Sequence, residues 1–360
     1  MEFKPLTIGD LVAKIPIIQG GMGVGVSLSG LAGAVAANGG IGIISTAQIG
    51  YRNPDFDRHP IESNLIEIGN QIRKAKQIAK GGIIGVNIMV ATKKYEQYVK
   101  AAASAGADLI ISGAGLPTTL PKLADGFQTK IAPIVSSLKS AKVICKLWDR
   151  HYHRVPDLVV IEGPRAGGHL GFTPEELANI EDMDYDNVVV SIIEHVNKYS
   201  EKYETKIPVV VAGGIYDKKD IEHYLNLGAA GVQMGTRFVT TYECDADEKY
   251  KMTYINASQE DIRIVKSPVG LPGRAINNQF LQEVHKEKKS INTCHQCLEK
   301  CNPSEIPYCI TDALINAATG NIDDALLFCG DNAYRAGKLE YVADIMKELT
   351  DCSEKRRTVI

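Results

Sequence analysis

Short apolar runs without polar alternation recur along the first two-thirds of the chain, at 15–18, 41–44, 83–90, 109–111, 131–135, 158–161, 209–211 and 231–234. Such continuous apolar character marks strands covered on both faces, as the strands of a parallel sheet are. Between the runs, apolar positions return at helical spacing over 28–37, 61–79, 95–105, 137–150, 188–203 and 218–227. Three of these helices end on one idiom, Asn38-Gly39-Gly40, Ala105-Gly106 and Leu227-Gly228, a glycine cap leading straight into the next strand. Eight strand–helix units in about 250 residues is the count of an α/β protein of the (β/α)8 (TIM) barrel type. A doubly wound open sheet is the alternative, because apolar periodicity does not show closure.

The pattern changes after Gly235-Thr236-Arg237. Residues 243–261 read as polar helix, 267–273 as a Pro- and Gly-containing loop, and the stretch to Lys289 as helix again. The charged run Lys286-Glu287-Lys288-Lys289 opens a cysteine-rich segment that closes on an amphipathic pattern over 339–349. These features divide the chain into a barrel domain, 1–285, with a helical insertion after its eighth strand, and a cysteine-rich helical extension, 286–360. The helices of the extension are expected to cap the barrel or to pair between subunits of a homodimer. Residues 47–60, polar and Pro-containing, follow the second strand and are expected to lie over the catalytic face as a lid.

Composition narrows the class. Lys plus Arg number 40 and Asp plus Glu 43, a net charge of −3, with no basic arm; nucleic acid is a poor partner for such a chain. The 33 glycines beside 6% aromatic residues suit many tight turns around a buried sheet. Residues 15–51 carry no charge, yet Pro16, Gln19, Asn38, Gln48 and many glycines break the stretch. It therefore reads as buried strand–loop–helix–strand and not as a membrane span. The first sixteen residues lack the apolar core of a secretory signal. Eight cysteines without that signal point to reduced thiols or metal ligands, and to a cytoplasmic protein.

In a (β/α)8 barrel the chemistry sits at the carboxyl ends of the strands. The sixth run ends at Glu162, breaks into Gly167-Gly168 and delivers His169 ahead of a Thr173-Pro174-Glu175-Glu176 helix start. Adjacent glycines let the backbone approach a flat or anionic ligand, and an imidazole there can exchange a proton near neutrality. A glycine-rich turn with a solvated histidine is the plainer reading. Strands seven and eight end in Gly213-Gly214 and Gly235-Thr236, where barrel enzymes hold a phosphate on backbone N–H groups. Tight packing of the turns is the plainer account of those glycines. Neither a G-x-G-x-x-G fingerprint nor a Walker lysine is present. A phosphorylated cofactor thus fits better than a Rossmann-bound dinucleotide.

Six segments, IPIIQGGMGVGVS, GVNIMV, SGAG, EGPRAGGHLG, VVAGGI and GVQMGTRF, stand in this order over about residues 10–280. Together they resemble the nitronate monooxygenase (2-nitropropane dioxygenase) family and its relative, the flavin-dependent enoyl-acyl-carrier-protein reductase II group. The resemblance implies a (β/α)8 barrel that binds FMN non-covalently. It places Gly20, Gly21, Met22, Asn87, Gly168, Ala212, Gly213, Gly214, Gln233, Met234, Gly235 and Thr236 at the cofactor, and His169 beside it to bind and activate substrate. Asn87 can offer both a donor and an acceptor to the ring edge. Arg237 has two uses, at the phosphate or paired with a carboxylate. Arg165 departs from the family pattern and sets a cation near the site, where an anionic substrate would be favoured.

Cys294, Cys297, Cys301 and Cys309 are spaced C-x2-C-x3-C-x7-C. Thiolates so spaced are natural ligands of an Fe–S cluster or of zinc, with His295 as an alternative zinc ligand; the alternative is buried thiols that simply pack. Cys145, Cys244, Cys329 and Cys352 are scattered and read as structural. Three activities stay open. One is oxidation of a nitronate to a carbonyl compound and nitrite with O2. The second is reduction of an enoyl thioester by NAD(P)H through FMN. The third is electron transfer between FMN and a metal or Fe–S tail.

Overall fold

The computed structural model describes residues 3–351. At its centre is a closed barrel of eight parallel strands, Ile17–Gln19, Ile41–Ser45, Ile83–Met89, Leu109–Gly113, Lys130–Val135, Val159–Glu162, Val209–Ala212 and Gly231–Met234. The eighth strand returns to the first through Val232↔Ile17 and Met234↔Gln19, which decides for the barrel over the open sheet. The unbroken apolar runs now have a cause. In strand six, Val160 belongs to the barrel interior with Ile18, Leu109 and Val210. Its neighbours Val159 and Ile161 pack outward with Ile144, Trp148 and Ile192 of the surrounding helices. Both faces are covered, so neither can be polar.

A short hairpin, Leu6–Ile8 with Leu11–Ala13, sends Leu6 and Ile8 into the interior cluster. It lies at the amino end, since Asp10 pairs there with Lys130, the first residue of strand five. The opposite end is left for the site. Helices alternate with the strands; Leu138–Tyr152, for example, starts at a Ser137 capping box and buries Trp148, whose Nε1 donates to the Pro117 carbonyl at 3.1 Å.

After strand eight the expected helix–loop–helix is corrected. Within 243–289, α-helix is confined to Glu248–Asn256 and Gln279–Val284, and between them Ile262–Lys266 and Pro272–Ile276 form an antiparallel hairpin. That hairpin takes Gly168–His169 as its third strand, through Gly273↔His169 and Arg274↔Gly168. Pairing with a distant segment overrides the weak local helix preference. Further on, helix Val342–Thr350 buries Val342, Ile345, Met346 and Leu349 in one cluster with Ile17, Leu31 and Val35 of the barrel. The segment after strand two places Tyr51 and Phe56 against Ala318, in helix Ile310–Thr319. Among the described residues no helix is long and apolar enough to cross a membrane.

Candidate active site

A cavity of about 1340 Å³ opens at the carboxyl ends of the strands, walled by the strand termini, the 265–271 hairpin loop and segments between 297 and 332. His169 and every residue that the resemblance places at the cofactor line it. Backbone geometry shapes the floor. A side chain at Gly21 would put its Cβ 2.5 Å from that of Asn87. Gly213 and Gly214 have φ of +98° and +76°, a region that favours glycine. Among the described residues, the N–H groups of Gly213, Gly214, Gly235 and Thr236 donate to no protein acceptor. Gln233 Oε1, on the same wall, is buried and also lacks a partner. A buried amide oxygen seldom goes unpaired, and beside four half-buried N–H groups without protein acceptors it makes this wall suited to a ligand.

The tail buttresses that wall. Gly330 N–H donates to Thr236 Oγ1 at 3.0 Å, and Asn332 Nδ2 donates to the Gly214 carbonyl at 2.8 Å. Nothing local in the sequence singles out Gly330 or Asn332, because their role depends on a partner about a hundred residues earlier.

On the far side, His169 Nε2 lies 2.7 Å from Ser267 Oγ in the hairpin loop, and its ring meets Phe328 edge-on at 5.0 Å. Burial pushes its pKa down to about 4, so the ring is neutral at pH 7. One ring nitrogen is committed to Ser267, and Nδ1 has no protein partner among the described residues. Glu162, at the end of strand six, also faces the cavity, and burial pushes its carboxyl up to about 7. Arg274, 3% exposed, donates to the carbonyls of Pro164 and Ala166 and so holds the turn that carries Gly167-Gly168.

Both arginines singled out in the sequence are spoken for. Arg165 was expected to offset the charge of an anionic substrate, but its guanidinium is bound by Asp331 and Glu181, at 2.5 Å each. Two carboxylates already neutralise it. Arg237 turns away from the glycine wall to Glu340 at 2.7 Å and Glu348 at 3.0 Å.

The four tail cysteines do not gather on a single-ion centre. Cys294, Cys297, Cys301 and Cys309 are all free thiols, and no three of their sulfurs come within 4.8 Å of one another. The one group of three potential ligands that does so among the described residues is His295, Cys309 and Asp312. Cys145, Cys244 and Cys329 are buried, as structural thiols would be; Cys352 lies outside the described residues.

The closed barrel and its carboxyl-end cavity define a (β/α)8 protein with a cofactor-type site. The chain belongs to the nitronate monooxygenase family, whose model matches residues 5–351. The probable nitronate monooxygenase of Staphylococcus aureus (strain Newman) is 33% identical over 135 residues, 38% of this chain and 36% of that protein. Its counterpart in Staphylococcus saprophyticus is 32% identical over 131 residues, covering 36% and 34%. These matches span about a third of the relatives' length. Among solved structures, FabK from Thermotoga maritima superposes with a TM-score of 0.69 at 25% identity, over 93% of this chain and 91% of that one. Nitroalkane oxidase from Streptomyces ansochromogenes gives 0.69 over 93% and 94%, at 19% identity, a likeness of fold.

Proposed function

We propose that this protein is an FMN-dependent oxidoreductase acting on a small nitronate, which it converts with O2 to a carbonyl compound and nitrite. The observation that carries the flavin is the wall of unpartnered donors at Gly213, Gly214, Gly235 and Thr236. A phosphate monoester needs several N–H donors and no lysine, and this wall fits that need. Gln233 and Asn87 are polar groups available to the rest of the cofactor, and Gly20 and Gly21 keep backbone close to it. Bound there, FMN supplies the electron-transfer chemistry.

The chain's own residues bind and orient. When Ser267 O–H donates to His169 Nε2, the ring proton resides on Nδ1, which then donates to an anionic nitronate oxygen. A neutral ring holds that oxygen by hydrogen bonding, without fixing a second charge in a buried place. Phe328 and the 265–271 loop shield the imidazole from water.

Cavity size favours a second reading. At about 1340 Å³ it exceeds the 300–1,000 Å³ usual for small-ligand pockets, room enough for a long substrate such as an enoyl thioester beside a flavin. The similarity to FabK supports the same reading, with NAD(P)H as reductant. Anaerobic mixing of the flavin-loaded protein with a nitronate, and separately with NAD(P)H, tests both. Bleaching by the nitronate within turnover time is the expected result. Bleaching by NAD(P)H alone would transfer the assignment to the thioester reductase. Purification of a folded protein that takes up no FMN would sink both.

A further inference from the structure

Where the lid meets the tail, a second polar cluster lies outside the chemistry described above. His295 is 4% exposed, and its ring stacks on Phe56 at 5.1 Å. Its Nε2 lies 2.6 Å from Asp312 Oδ1. Its Nδ1 is buried without a hydrogen-bond partner, 3.7 Å from Asp57 Oδ1. One ligand atom each from His295, Cys309 and Asp312 fall within 4.8 Å of one another. Cys309 caps helix Ile310–Thr319 and Asp312 sits in its first turn, so one helix end positions both. The backbone of His295 is held from the lid, since Gln48 Nε2 donates to its carbonyl at 3.1 Å and also to Thr311 Oγ1.

We infer that His295, Cys309 and Asp312 form a binding site for a zinc-type divalent cation that ties the His295 segment to the start of helix Ile310–Thr319, beside the lid. An imidazole, a thiolate and a carboxylate make the donor set that such a borderline ion takes, with water in the fourth position. Metal-bound imidazoles hand their other N–H to a carboxylate, which gives the orphaned Nδ1 a partner in Asp57. A plain histidine that donates its one ring proton from Nε2 to Asp312 leaves Nδ1 as a bare acceptor facing the Asp57 carboxylate, whereas a cation on Nε2 puts the proton on Nδ1, where Asp57 can accept it. Two ligand atoms on one tetrahedral zinc stand roughly 3.3 Å apart. The 2.6 Å Nε2–Oδ1 contact must therefore open by under an ångström as the ion replaces the proton it shares. Binding moves the ring's one proton from Nε2 to Nδ1, releases the Cys309 thiol proton, forms the metal–nitrogen, metal–oxygen and metal–sulfur bonds, and changes no oxidation state. The other three tail cysteines are not needed for it, because none of them joins His295, Cys309 and Asp312 in the group within 4.8 Å.

The test uses the full-length, FMN-loaded protein incubated with Zn2+, desalted and assayed for metal, iron and sulfide. Wild type is expected to keep about one zinc per chain. His295→Gln and Cys309→Ser should each fall at least about tenfold, while Cys294→Ser keeps the metal and all four keep their FMN. Co2+ in place of zinc should give a thiolate-to-metal absorption in wild type. This reading needs no variant, and its absence would overturn the site even if Cys309→Ser does not fold. Zinc in wild type no higher than in the variants would also overturn it. So would iron with acid-labile sulfide that is lost in Cys294→Ser, which would restore the four-thiol cluster. A protein that binds zinc as expected but takes up no flavin would sink the function proposed above and leave this site standing.

Discussion

The two ends of the cavity do comparable work by different means. At the glycine end, Gly213-Gly214 and Gly235-Thr236 follow their strands directly and present backbone N–H groups without protein acceptors among the described residues. Barrel closure places them side by side. At the roof end, His169 depends on Ser267, 98 positions away, and on Phe328 from the tail. The hairpin that carries Ser267 pairs with Gly168–His169 itself. The glycine end is thus part of the fold, whereas the roof end is added to it. Damage at the first should cost cofactor and stability together; damage at the second should cost turnover while the cofactor is kept.

The sharpest way to break that contrast is Gly213→Val. The position has φ +98°, and a Cβ would lie 2.9 Å from the Ala166 nitrogen and 3.0 Å from the Gly163 carbonyl oxygen, both backbone. The strained backbone and the clash are expected to cost on the order of 3 kcal/mol, read from denaturant midpoints. FMN content should fall at least about tenfold in parallel, because the clash also displaces the Gly213 and Gly214 N–H groups, and about 1.4 kcal/mol of lost binding energy is already that factor. A variant that folds at wild-type stability and keeps its flavin would show that the glycine end is not what we take it for.

His169→Ala probes the other end. The expected loss is about 10² in turnover, the range for a positioned hydrogen-bonding or proton-transfer group, with FMN content unchanged. Activity within a few-fold of wild type would make His169 a bystander. Loss of flavin together with activity would erase the distinction between the two ends.

The same contrast explains what could be read from the chain. The strand runs are visible because interior and outer clusters cover both faces of each strand, Val160 inward and Val159 outward, for example. The glycines and His169 stand out because they follow those runs without delay. The 262–276 hairpin does not stand out, because its ordering partner is two residues of the strand-six turn. Arg165 looks like a free cation in the sequence, since Asp331, which claims it, lies 166 positions away. The cysteine spacing suggests a ligand set, yet only Cys309 is set on a helix end facing a histidine and an aspartate. In the sequence His295 is marked only as an alternative zinc ligand, and Asp312 carries no spacing signal at all.

The smallest effect is one in which two groups of the cavity oppose each other. The Glu162 carboxyl is raised from an ordinary 4.5 to about 7 by burial, and His169 is lowered from 6.5 to about 4 by the same cause. A raised pKa means that the folded form holds the Glu162 proton more tightly, so this contribution to stability is full below pH 4.5 and is lost as pH rises through 7. A lowered pKa means that the folded form resists protonating His169, so this contribution is full above 6.5 and is lost as pH falls through 4. Between pH 4 and 7 the slopes have opposite signs and similar size, and together they should move wild-type stability by roughly 1 kcal/mol or less. The single variants separate them. In the flavin-free protein, Glu162→Gln should grow more stable than wild type as pH rises from 4.5 to 7. His169→Asn should lose stability relative to wild type over 4 to 6.5. Groups elsewhere titrate alike in all three proteins, so the differences between denaturant midpoints isolate the pair. If Glu162→Gln tracks wild type at every pH, the carboxylate is solvated in the open cavity and contributes nothing to the roof end.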